Sequence, residues 1–163
     1  FYLQRYTQRP ASPIVDSWCM ASPPRTRFVL DWLEELRHAL CLGDDEYLDI
    51  LRRDGRFKRL RQGIADPAYL IIHMCCQVVL EREAGYRLQL WRSEDTAYFL
   101  QHCSHWRRLR LYRRLLWRTA PERSPPLIKL RGGERRKLEP YLRHAFYRRQ
   151  SIVGTQLAGS ASS

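Results

Sequence analysis

Asp66-Pro-Ala-Tyr-Leu-Ile-Ile-His-Met-Cys-Cys-Gln77 is the most apolar run of the sequence, yet it carries two polar side chains, His73 and Gln77. Pro67 suits the first turn of a helix, where its missing N–H would have had no partner, and Asp66 is placed to cap that turn. The pattern predicts a helix that starts here and stops at Gly85. His73 and Gln77 are four residues apart and so share one helical face. Tyr69, Leu70, Met74, Cys75, Val78 and Val79 spread around the rest. The expectation is a core helix with one polar stripe.

Upstream, Pro10, Pro13, Pro23 and Pro24 surround Ile14 to Met20, a short extended piece that reads as a buried strand between loops. From about Thr26 to Leu42, the residues Phe28, Val29, Trp32, Leu33, Leu36 and Leu40 follow helical spacing opposite Asp31, Glu34, Glu35 and Arg37, and Gly43 is a natural stop. Asp44 and Asp45 cap a second short helix that runs to Gly55, and Arg56 to Arg61 follows as a solvated basic connector.

Downstream, Tyr86 to Trp91 alternates with period two, the pattern of a strand with one buried face. Ser93-Glu94-Asp95 opens a further helical turn to about His102. Between Arg107 and Arg118, six arginines interleave with leucines and aromatics as a basic amphipathic helix. Pro121 to Pro126 breaks the chain, Leu127 to Leu130 makes a short strand, Gly132 and Gly133 turn, and Glu134 to Arg143 forms a last helix. One domain is expected over residues 1–153, with 154–163 as a flexible tail.

At 163 residues, with 44% hydrophobic and 12% aromatic side chains, the chain can bury a real core. A net charge of +12 implies anionic partners: phosphates, nucleic acid or lipid head groups. Cys19, Cys41, Cys75, Cys76 and Cys103 are odd in number and lack paired C-x-x-C spacing, so reduced thiols are expected rather than a disulfide framework. That leans toward a cytoplasmic location, with a Golgi lumen as the alternative. No apolar run is long enough to span a bilayer. The opening at Phe1, in mid-pattern and with no signal peptide, reads as the later part of something longer.

Four pieces, in order, carry a family likeness: Pro13-Ile-Val-Asp-Ser-Trp18, Tyr69-Leu-Ile-Ile-His-Met-Cys-Cys-Gln77, Glu94-Asp95, and Leu127-Ile-Lys-Leu130 with the following Gly-Gly and Arg135. Together they resemble the capsular polysaccharide synthesis proteins, glycosyltransferases related to the sugar transferases that carry an Asp-x-Asp metal motif on a GT-A fold. The resemblance spans residues 1 to about 153. Ser17 and Cys19 depart from the family's usual Pro-Ile-Ile-Glu-Asn-Trp-Phe. It implies a helix-rich α/β chain with a few short strands, the C-terminal portion of a GT-A-like fold. It also implies hexosyl transfer from a nucleotide-diphosphate sugar to a glycan acceptor. The family's Asp-x-Asp and nucleotide-binding strands precede this region, so the divalent cation, manganese or magnesium, is expected to be held mainly by residues before Phe1. The chain alone is then expected to be inactive.

Under that resemblance Asp16 is the expected catalytic carboxylate, an acceptor-side base or a ligand of the acceptor hydroxyl; its other reading is a turn-forming Asp. Trp18 stacks a pyranose face or fills a core. His73 and Gln77 line the floor of a sugar site or satisfy neighbouring loops. Glu94 and Asp95 bind sugar hydroxyls or favour a helix start. Lys129, between leucines of a buried strand, needs an anion or a path to solvent; the anion would be the donor diphosphate. His102 and His105 around Cys103 lack a matching carboxylate, so no metal site is expected there. Arg107, Arg108, Arg110, Arg113, Arg114 and Arg118 make a solvated face or a peripheral contact with an anionic membrane. The rival class is a basic RNA-binding or ribosome-associated module, resting on the charge and the interleaved Tyr and Trp.

Overall fold

A computed structural model describes residues 1–83, 85–122 and 127–160. The chain forms two compact units, the first from Phe1 to Arg92 and the second from Ser93 onward.

In the first unit the apolar stripe of α1 (Arg27–Leu42) buries Phe28, Trp32, Glu35 and Ala39. The helix ends where expected, with the Gly43 N–H donating to the Ala39 carbonyl at 3.0 Å. Gly43 has φ 90°, a conformation that suits a residue without Cβ. Its carbonyl then accepts from Tyr47 N–H at 3.0 Å to start α2 (Asp44–Arg53). Asp44, Asp45 and Glu46 occupy that first turn, where the helix dipole favours carboxylates.

The residues expected to be a solvated connector instead form α3 (Phe57–Arg61). Fully buried Leu60 anchors it, and Arg56 and Arg59 both pair with Glu81. Helix α4 (Ile71–Arg82) starts later than Pro67 predicts. Asp66 caps a preceding turn instead, its Oδ1 accepting from Tyr69 N–H at 3.2 Å and its carbonyl from Leu70 N–H at 3.0 Å. That turn leaves Tyr69 83% exposed, outside the core assigned to it. Beyond the turn α4 buries eight consecutive or near-consecutive residues, from Ile71 and His73 through Val79. It packs against α1, and Trp32 Nε1–H donates to the Ile72 carbonyl at 2.8 Å.

The expected strands are extended segments without ladders. Among the described residues β-pairing is confined to isolated bridges, Tyr2 with Val15 and with Arg92 in the first unit and Thr119 with Ser151 in the second. The alternation from Tyr86 to Trp91 is real: Tyr86, Leu88 and Leu90 pack on the core while Arg87, Gln89 and Trp91 are exposed. Tyr2 reaches it with one backbone hydrogen bond, to the Trp91 carbonyl at 2.9 Å, rather than with a paired strand. The chain is therefore helix-rich, and the strand content expected of an α/β chain is reduced to these bridges among the described residues.

The second unit begins with a 3₁₀ turn, Ser93–Asp95, followed by α5 (Phe99–Cys103) and α6 (Arg108–Tyr112). The arginine-rich segment is helical as the pattern requires, but its second half, Arg113–Trp117, widens to a π-helical turn. Helix α7 (Gly132–Arg143) takes Gly132 and Gly133 into its first turn. Leu100, Leu111, Tyr112, Leu115, Leu116, Leu138 and Ile152 form the core of this unit. Ile152 belongs to α8 (Ile152–Ser160), which occupies most of the stretch expected to be a loose tail. What closes it down is a tight backbone approach: a Cβ on Gly154 would lie 2.2 Å from the Arg148 carbonyl. Residues 161–163 of that tail, and 123–126 of the expected proline break, lie outside the described residues. No helix among the described residues is long and apolar enough to cross a membrane.

Candidate functional site

The polar stripe of α4 organises the first unit. Gln77 is fully buried, and both ends of its amide are engaged. Its Oε1 accepts from the Ser12 hydroxyl at 2.8 Å and from Gln62 Nε2–H, while its Nε2–H donates to the Pro13 carbonyl at 2.8 Å. Gln62 sits at φ 44°. It donates to the Ser12 carbonyl at 2.8 Å and accepts from the backbone N–H groups of Gln8 and Arg9 at 3.0 and 3.2 Å. A left-handed non-glycine residue costs on the order of 1 kcal/mol and persists where the surroundings over-determine it; here those side-chain hydrogen bonds do so. Gln77, expected at a sugar, is a joint between α4 and the segment Ser12–Pro13. His73, one helical turn earlier, is buried on the same helix.

That joint places Asp16. It is 6% exposed, and its backbone N–H donates to the Phe1 carbonyl at 2.9 Å. Trp18 is half-buried with Phe1 stacked on it, ring centroids 5.4 Å apart and planes 12° apart. Phe1 in turn meets the edge of Trp91 at 5.8 Å. One face of Trp18 thus serves the protein itself, leaving at most the other for a pyranose.

A second polar cluster lies within the same core, and the sequence pattern did not single it out. The Tyr47 hydroxyl donates to Glu35 Oε1 at 2.7 Å, and Arg82 Nη2–H donates to Glu35 Oε2 at 2.6 Å. Burial, with the neighbouring Cys75 and Glu35, pushes the Tyr47 hydroxyl far above its ordinary pKa. Burial pushes the Cys75 thiol up to about 12 and raises Cys76 as well. These are inert, structural thiols.

In the second unit Glu94 is buried and Asp95 exposed, both in the 3₁₀ turn. Lys129 is half-buried in an extended segment rather than buried in a strand. Its ammonium lies 5.6 Å from the Tyr98 ring centroid, and its N–H donates to the Ala97 carbonyl at 2.9 Å. The Lys129 carbonyl accepts from Gln101 Nε2–H, which also donates to Glu134 Oε2 at 3.2 Å. Glu134 is the hub here. Its Oε2 accepts from Arg131 N–H at 2.8 Å, its Oε1 from Arg131 Nε–H at 2.7 Å, and its carbonyl from the Tyr112 hydroxyl at 2.8 Å. A glutamate three residues into a helix, reaching back to its start, is a capping-box position; that was the signal available for Glu134.

Asp16, Trp18, His73 and Gln77 thus belong to the first unit, and Glu94, Asp95 and Lys129 to the second. Among the described residues no group of three His, Cys, Asp or Glu stands together in a way that could hold a metal ion. The described residues therefore do not by themselves fit the divalent cation that the resemblance implies, and no chemistry here is assigned to it. No protein-family model, curated protein or solved structure matches the chain.

Proposed function

We propose that this chain is part of a glycosyltransferase that moves a hexosyl group from a nucleotide-diphosphate sugar to a glycan acceptor, as the C-terminal portion of a GT-A-like enzyme. One observation carries the reading: the first two of the four sequence pieces that suggest it are joined by a side-chain hydrogen bond within the first unit. The Gln77 amide of the second piece donates to the Pro13 carbonyl of the first at 2.8 Å, and in the second unit the Lys129 N–H of the fourth piece donates to the carbonyl of Ala97, two residues beyond the third.

In this reading Asp16 is the group that accepts the proton of the acceptor hydroxyl, a carboxylate largely withdrawn from water and fixed through its backbone. Gln77 and Gln62 are positioning residues that hold the Asp16 segment on α4. The Lys129 ammonium supplies positive charge for the donor diphosphate, and Glu94 and Asp95 supply acceptors for sugar hydroxyls. Manganese or magnesium belongs to the proposal as a cofactor bound chiefly by residues outside this chain.

The test is turnover of uridine- or guanosine-diphosphate hexoses with manganese and a glycan acceptor, using the natural polypeptide that contains these residues. Asp16→Asn and Lys129→Ala are each expected to cut turnover by about tenfold or more, on the order of 1.4 kcal/mol, with unchanged circular dichroism. Unchanged turnover in both would return the two residues to structural roles. No turnover and no nucleotide-sugar binding, together with tight salt-sensitive RNA binding, would sink the transferase reading in favour of a basic RNA-binding module.

A further inference from the structure

The arginine segment makes a recess rather than a flat basic face. Arg110, Arg113, Arg114 and Arg118, with Cys103 and His105, line a cavity of about 310 Å³ within the second unit. Arg107 and Arg108, from the same run of six, are not part of it. The wall is built by α6 and the π-helical turn that continues it. Such turns are uncommon and recur at functional sites. Opposite them, His105 and Trp106 both adopt positive φ, 52° and 59°, in the link between α5 and α6. Arg114 is pinned in place by donating from Nη2 to the Cys103 carbonyl at 3.2 Å.

What sets the recess apart is the gathering of four guanidinium groups around one concavity. Arg27, Arg52, Arg56, Arg59, Arg82, Arg131 and Arg143 each pair with a carboxylate. Among the described residues the four recess arginines make no such pair, and no carboxylate lines the cavity. Like charges gathered in one concavity repel each other and focus a positive potential into it. An anion removes both penalties. Every cation fixed in charge here is a guanidinium, whose planar fork matches phosphoryl oxygens two at a time. From Arg110 to Arg118 the segment would extend about 12 Å along an α-helix axis, more than one phosphoryl group can serve.

We propose that this recess is a binding site for a diphosphate group. It is independent of sugar transfer, since none of its residues is assigned a role there. The same chemistry comes from two sources, a soluble diphosphate or a diphosphate lipid headgroup. Leu109, 79% exposed, and Trp117, 39% exposed, sit on the same segment and would meet the lipid in the second case.

The experiment is calorimetric titration of the chain with inorganic pyrophosphate, beside co-sedimentation with phosphatidylcholine vesicles that do or do not carry a polyprenyl diphosphate. Saturable one-to-one pyrophosphate binding is expected. Arg110→Gln with Arg118→Gln should weaken it by about 30-fold or more, as two charge-assisted contacts are lost. Arg135→Gln with Arg136→Gln, which removes equal charge from α7, should change it by about 3-fold or less. Absence of saturable binding, or equal weakening by both pairs, would overturn the proposal. Should the glutamine pair disturb the circular dichroism, Arg110→Lys with Arg118→Lys keeps the charge and removes the forks; weaker binding then supports the site and unchanged binding overturns it. Recruitment to the doped vesicles, reversed by pyrophosphate, assigns the lipid source. Pyrophosphate binding without recruitment assigns the soluble one. RNA binding that pyrophosphate cannot displace, with no saturable pyrophosphate isotherm, would overturn both.

Discussion

Each unit is bolted together by one fully buried helical glutamine, and the two bolts differ. Gln77 in the first unit has both ends of its amide engaged, by Ser12, Gln62 and Pro13. Gln101 in the second donates to the Lys129 carbonyl and to Glu134, but its own Oε1 is buried without a hydrogen-bond partner. Some of the arginines differ as well. Arg27, Arg56, Arg59 and Arg82 of the first unit lie against Glu35, Glu81 and Glu83, whereas Arg110, Arg113, Arg114 and Arg118 of the second line one cavity. The contrast lies in the two glutamines and the arginine recess and not in polar satisfaction as a whole, since Arg9 Nη1 of the first unit is also buried without a hydrogen-bond partner.

Removing the bolts should expose this difference most strongly. Gln77→Leu takes a partner from the buried Ser12 hydroxyl and from the half-buried Gln62 amide and Pro13 carbonyl, each on the order of 1–3 kcal/mol, so a loss of about 4 kcal/mol is expected in denaturant unfolding. Gln101→Leu strands the Lys129 carbonyl but also deletes an unpartnered acceptor, and about 1 kcal/mol is expected. Equal losses would erase the distinction between the two glutamines.

Next come two glycines that should behave alike. A Cβ at Gly63 would lie 2.5 Å from the Tyr6 carbonyl oxygen, and one at Gly154 would lie 2.2 Å from that of Arg148. Neighbouring backbone cannot swing aside as a side chain can, so Gly63→Ala and Gly154→Ala should each cost about 1–3 kcal/mol. A thermal shift for only one of them would mean that backbone packing, and not hydrogen bonding alone, separates the units.

The smallest effect tests internal charge pairing. Burial opposes the charge of Glu81, but hydrogen bonds from Arg59 and Arg56 outweigh it and hold the carboxyl below its ordinary 4.5. A depressed carboxyl stabilises the fold above the unfolded value and loses that contribution as pH falls through the folded one. Glu81→Gln should therefore lower stability by about 1 kcal/mol or less at neutral pH, with the gap closing below about pH 4.5. A gap independent of pH would show that packing, not charge, is what Glu81 contributes.

Much of the architecture was readable from spacing. Helical periodicity located α1, α2, α4 and α7, and Gly43 marked the end of α1, because burying one stripe dictates where apolar residues recur. Period two correctly gave the inward face of Tyr86 to Trp91 but not its pairing, since alternation reports burial while a ladder needs a partner elsewhere in the chain. The connector at Arg56 misled because its charge masked Leu60, the one residue that decides burial. Among the candidate residues, Asp16 and His73 stand out in the sequence as polar groups in apolar surroundings, and both are buried. Ser12, Gln62, Gln101 and Glu35 do not stand out, because a long-range hydrogen bond leaves no mark on either partner's neighbours in sequence.

Cys75 and Cys76, side by side in α4 with no exposed surface, give the first unit a built-in reporter of its own breathing. Only a thiolate reacts with an electrophile, and in the closed core neither thiol ionises near neutral pH or meets solvent. Exposed Cys41 reacts at the rate of the reagent. The adjacent pair must wait for the helix to lift away from α1, so the lag between the two reactions clocks how often the centre of the molecule opens.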